Sequence, residues 1–174
     1  AEVVFTAHSI PLSMARGCAY ERQLREASRL VAERAGAHRF RLAWQSRSGP
    51  PQAPWLEPDV LAELDRLHEA GVREAIVVPI GFISDHLEVL YDLDVEAQER
   101  AEAHGMTMIR VPTVGIDPAF VAMIRELIEE RLHEHPDRRF LGALGPSHDI
   151  CPVNCCQLGE SRAVARPVQE RATA

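Results

Sequence analysis

His8 closes an apolar run, VVFTA, and is followed by Ser9, Ile10 and Pro11. An imidazole at the end of a strand points into the cleft where open α/β folds take their ligands, and there it accepts a proton or binds a metal. A structural histidine satisfied by its neighbours fits the same position. Further along, GFISDHLEVLYDLDVEAQE places Glu88, Asp92 and Glu96 at successive four-residue intervals. On one helical face such carboxylates repel one another by roughly 0.2–0.5 kcal/mol per pair. A row of this kind passes protons or holds hydrated divalent cations. The competing reading is an ordinary helix start, with Asp85 and Glu88 as a capping box and the other carboxylates facing water.

Four cysteines form a third set: Cys18, and Cys151, Cys155 and Cys156 in CPVNCC. A cytosolic chain disfavours disulfides, so thiolate ligation of zinc or of an iron–sulfur cluster is the leading functional reading. There is no pair of CxxC motifs, and free thiols in a carboxy-terminal tail are the alternative. Trp44 and Trp55 flank a Pro-rich loop, and with Leu56, Ile80 and Phe82 they offer an apolar wall to a flat ligand. Core packing is the commoner fate of such residues.

These groups need a scaffold, and the chain alternates short apolar runs with amphipathic stretches of helical length. That pattern predicts a doubly wound, mostly parallel four-stranded α/β sheet with helices on both faces. Strands are expected at Glu2 to Ala7, Phe40 to Gln45, Glu74 to Pro79 and Thr107 to Val111, the third the most apolar and the most central. One helix carries Leu24, Ala27, Leu30 and Val31 and stops at Gly36. A second starts with Pro58 at its first position and ends at Gly71. A third runs from about Asp85 to Gly105. The last is capped by Asp117 and turns Phe120, Val121, Ile124, Leu127, Ile128 and Leu132 inward. His8, the loop Ser46 to Glu57 and the segment Ile80 to Glu88 all leave the sheet at its carboxyl edge.

With 174 residues, a net charge of −7 and a pI near 5.6, the chain is a one-domain protein with a tail and a poor match to nucleic-acid phosphates. All its non-histidine basic residues are arginine. No apolar run is long enough to span a bilayer and the start does not read as a signal peptide, so a cytoplasmic setting is expected. The first residues already read as a buried strand, which suggests a piece of something longer.

Taken together, FTAHSIP, LAWQSRSGPPQAPWLEPDV and PIGFISDHLEVLYDLD resemble the three signature segments of the ferrochelatase family, in the family's order. The resemblance covers roughly residues 2 to 130 and is nearest to actinobacterial-type enzymes. It implies insertion of ferrous iron into a porphyrin during haem synthesis, with coproporphyrin III ahead of protoporphyrin IX. It also implies that His8 is the active-site histidine, as proton acceptor or iron ligand. Glu88 then matches the catalytic glutamate across the pocket, with His86, Asp92 and Glu96 along an acidic ladder that family members carry on a widened helical turn. Gln45, Ser46, Arg47, Trp55 and Leu56 match the segment that grips the porphyrin, Arg47 meeting a propionate. Some members hold a [2Fe–2S] cluster with one earlier and three late cysteines, a layout that Cys18, Cys151, Cys155 and Cys156 resemble. On this reading residues 1–135 are the carboxy-terminal domain, residues 136–174 a partly disordered Cys-containing tail, and the family's amino-terminal domain is missing. The alternatives are a cobalt or nickel tetrapyrrole chelatase, or a non-catalytic module binding a tetrapyrrole or an iron–sulfur cluster.

Overall fold

The computed structural model describes residues 1–153 apart from 51, 135, 149 and 152. Four strands, β1 (Glu2–His8), β2 (Arg41–Gln45), β3 (Glu74–Val78) and β4 (Thr107–Arg110), form one sheet in the order β2-β1-β3-β4. All three pairings are parallel. Each crossover is helical: α1 (Leu12–Arg16) and α2 (Tyr20–Arg34) after β1, α3 (Val60–Glu69) after β2, and a long composite helix after β3. The expected strands are present within a residue or two of their predicted ends, because in each case the apolar run is bounded by polar or turn-forming residues.

β1 is covered on both faces, and its alternation assigns each side chain to one of two cores. Val4 joins Ala43, Val77, Leu64, Leu67 and Leu93 beneath α3 and the composite helix. Phe5 and Ala7 join Leu42, Trp44 and Leu24 beneath α2. Burying the Val, Leu and Phe side chains among these contributes about 1.5–3 kcal/mol each. The same alternation turns His8, two residues beyond Thr6, toward the face that the composite helix covers.

Four sequence expectations are corrected in detail. The buried row of α2 is Leu24, Ser28 and Ala32, with Val31 exposed, because small residues let the helix lie close to β1. Asp59, not Pro58, marks the start of α3, since its carboxylate accepts from the Leu61 amide (2.9 Å). The third helix is not uniform: α4 (Leu87–Val89) passes into a π-helix (Leu90–Ala97) and then α5 (Gln98–Ala103). Finally, α6 (Pro118–Glu129) is capped by Asp117 as expected, yet it buries none of its residues among the described ones. Val121, Ile124, Leu127 and Ile128 remain about half exposed. No described helix is long and apolar enough to cross a membrane.

Candidate active site

The register of β1 against β2 sets His8 beside Gln45 at the carboxyl edge, and the Ser9 amide donates to the Gln45 carbonyl (2.8 Å). Ser9 turns to the other side, where its hydroxyl donates to the Leu56 carbonyl (2.9 Å), so it is engaged in structure and faces away from the imidazole. His8 Nδ1 lies 2.5 Å from the Ser9 carbonyl oxygen. A carbonyl only accepts, so Nδ1 carries the proton and Nε2 is the basic nitrogen. That Nε2 stands 3.4 Å from Glu88 Oε1, both side chains being more than a third exposed.

Tyr20, at the start of α2, donates its hydroxyl to the His8 carbonyl (3.0 Å) and tilts its ring against Trp44. Burial, helped by the nearby Cys18, raises the Tyr20 phenol above its ordinary value, so it stays a donor at neutral pH. Nothing in the sequence singled this tyrosine out; a residue twelve positions from His8 meets it only through the crossover. Tyr20→Phe is expected to cost about 1 kcal/mol, read from urea denaturation, because the His8 carbonyl loses its partner. An unchanged midpoint would show that water replaces the hydroxyl without loss.

The carboxylate row divides in two. Glu88 sits in the single α-helical turn before the π-helix, whereas Asp92 and Glu96 lie within it, where the wider i→i+5 turn removes simple four-residue stacking. Val89, Leu93 and Ala97 are buried, each directly following one of these carboxylates, and Ala101 continues the buried row. Asp92 is held from β2: Gln45 Nε2 donates to its Oδ2 (3.2 Å) and the Ser46 hydroxyl donates to the same oxygen. Ser46 makes that contact from a positive φ of 60°, a conformation costly for a residue with a Cβ and typical of functional sites. Gln45, Ser46, Arg47, Asp59, Asp92 and Glu96 surround a cavity of about 200 Å³.

The capping box is overturned. The helix begins after His86, with no side-chain cap, and the Asp85 carboxylate turns to Arg110 and the Thr113 amide instead. His86 is exposed, its ring edge-on to Phe82. Leu56 is buried in the core beneath α2 with Trp44, and Trp55 is partly buried where the loop crosses Pro11. Arg47 lies on the exposed side of the loop and donates to the Ala53 carbonyl (3.0 Å).

Cys18 is half-buried and Cys151 exposed, both as free thiols, while Cys155 and Cys156 lie outside the described residues. Cys18 and Leu144 line one cavity of about 680 Å³. The Ala143 amide donates to Glu26 on α2 (2.8 Å), which fastens the approach to the late cysteines onto the helix that follows Cys18. Among the described residues no three His, Cys, Asp or Glu side chains converge as a resident metal would require.

The Ferrochelatase family model matches residues 1–132. A ferrochelatase of Rhodopirellula baltica is 51% identical over 172 residues, covering 97% of this chain and 49% of that protein. A coproporphyrin III ferrochelatase of Frankia alni is 51% identical over 166 residues, covering 90% of this chain and 43% of its own length. One from Streptomyces coelicolor is 44% identical and 49% covered. The chain therefore spans about half the length of the curated relatives it matches. A solved structure of a CbiX cobalamin (vitamin B12) biosynthesis protein from Marinobacter aquaeolei VT8 aligns with a TM-score of 0.50 at 21% identity, over 75% of this chain and 96% of that one. It shares the fold.

Proposed function

The chain belongs to the ferrochelatase family, and from that premise we propose that the protein carrying it inserts ferrous iron into a porphyrin, coproporphyrin III ahead of protoporphyrin IX. The observation that carries the reading is the His8–Glu88 pair at the carboxyl edge, 3.4 Å apart and open to solvent on one side. Metallation releases two pyrrole protons as the dication enters, with no change of oxidation state. With Nδ1 engaged by the Ser9 carbonyl, His8 Nε2 takes the two pyrrole protons in turn, Glu88 stabilising each imidazolium and passing its proton on to solvent before the next is taken. Asp92, fixed by Gln45 and Ser46, and Glu96 continue the polar row away from that pair.

Residues 1–135 act in this reading as the carboxy-terminal domain of a longer protein. The half-exposed apolar side of α6 is then the face that packs against the remaining half, which supplies the other wall of the cleft. Cys18, Cys151, Cys155 and Cys156 are the proposed ligands of a [2Fe–2S] cluster. The docking of residue 143 on α2 and the cavity shared by Cys18 and Leu144 support that grouping. No step of metallation runs through the cluster.

The test is anaerobic incubation of the complete gene product with Fe²⁺ and coproporphyrin III, followed by the porphyrin absorption bands. Collapse of the metal-free bands is the expected result. Binding of porphyrin without metallation defeats the proposal, and turnover with Co²⁺ alone transfers the protein to cobalt chemistry.

A further inference from the structure

Asp85 and Asp94 bracket the stretch that carries His86, Glu88 and Asp92, and one guanidinium holds both of them. Arg110, at the carboxyl end of edge strand β4, donates from Nε and Nη2 to the two oxygens of Asp94 (2.6 and 2.7 Å) and from Nη1 to Asp85 (2.9 Å). Its side chain is 14% exposed, far less than an ordinary surface arginine. Asp85 also accepts from the Thr113 amide (3.2 Å), and the Gly115 amide donates to the Ile83 carbonyl (2.8 Å). Residues 83–88 are exposed and bury no side chain of their own. Between the core anchors Phe82 and Val89, their course is set by these ties to the strand end and the loop that follows it.

We infer that Arg110 is a positioning residue for the His8–Glu88 pair, a clamp that fixes where the Glu88 turn leaves the sheet and where the π-helix starts. The inference rests on the function proposed above. A planar fork suits this role because it fixes direction and distance to two carboxylates at once, which an ammonium on a flexible stem does not. The two carboxylates lie nine residues apart on either side of Glu88, so releasing either one loosens the turn between Phe82 and the buried Val89 and lets Glu88 shift relative to His8. Arg110 touches neither His8 nor Glu88, and its effect passes entirely through Asp85 and Asp94.

The experiment compares the complete protein with Arg110→Met, Arg110→Lys and Asp94→Asn, reading kcat and KM for iron insertion and amide hydrogen exchange across residues 83–95. Expected are a fall in kcat of about 10- to 100-fold for Arg110→Met with KM for porphyrin within about threefold, faster exchange in that segment, and partial recovery in Arg110→Lys. Unchanged exchange overturns the clamp, and so does faster exchange with unaltered kcat, which marks a tie that serves stability alone. If Arg110→Met does not fold, Asp94→Asn decides by the same two readings. A wild-type protein that metallates nothing removes the proposed function first, and the clamp falls with it.

Discussion

His8→Ala is expected to lower iron insertion by about 10²- to 10⁴-fold, the usual contribution of a well-placed general base, while porphyrin binding and thermal stability stay close to wild type. The ring is more than a third exposed and its backbone neighbours are held independently by Tyr20 and Gln45, so truncation leaves the sheet intact. Steady-state kinetics under anaerobic conditions, with porphyrin affinity measured separately by fluorescence quenching, give the answer. Equal turnover in mutant and wild type would leave the family membership standing and remove His8 from the mechanism. Loss of porphyrin binding in parallel with turnover would make it a binding residue instead.

Gly81→Ala should be strongly damaging, since among the described glycines it is the one whose added methyl meets the backbone of another element at under 3 Å. A Cβ at position 81 would lie 2.4 Å from the Ala7 Cβ and 2.8 Å from the Ala7 Cα, and the Gly81 amide donates to the Thr6 carbonyl (3.0 Å). The obstacle is the backbone of the central strand, fully buried and paired on both sides, which has nowhere to go. Overpacking of this kind costs typically 1–3 kcal/mol and more where backbone must yield, so a loss of about 3 kcal/mol or greater is expected in urea denaturation. Whatever fraction still folds must lift the segment after β3 off β1, drawing Glu88 from His8 and depressing kcat beyond the stability loss. A midpoint within experimental error of wild type would show that the segment can slide without cost.

The fold was largely readable because its signals are local. Each strand is an apolar run closed by a polar or turn-forming residue, and Gly36 and Gly71 end their helices at positive φ, as glycine does most cheaply. The placement of His8 and of the Gln45–Ser46 pair at the carboxyl edge follows from the ends of β1 and β2 once the sheet is parallel, whereas Glu88, well beyond the end of β3, takes its place through longer ties. What escaped is what depends on distant partners. Asp85 looks like a helix cap from its neighbours, but Arg110, brought alongside by the β3–β4 pairing, offers it a stronger charge-assisted bond. The π-helix reads as an α-helix in sequence, since Glu88, Asp92 and Glu96 keep a four-residue interval that either helix can carry. The family resemblance, with its widened turn, was the only pointer to it. The stripe on α6 was recognised as apolar, yet periodicity does not say which body covers it. Leu56 packs in the core beside Trp44 and also borders a cavity with Ser9 and Arg47, a double placement that the sequence did not show and that arises because the Pro-rich loop folds back over Ile10 and Leu12.

The central place of β1 has a consequence for biosynthesis. Glu2 pairs with Ala75 and Val4 with Arg41, so the first-made strand of this chain acquires its neighbours one after another, the second only when the third strand has been translated. Until then the nascent chain presents an open strand edge, which is the kind of surface that chaperones shield. During that interval His8 has no Glu88 beside it, and the pair forms only once β3 and the segment that follows it have docked on β1.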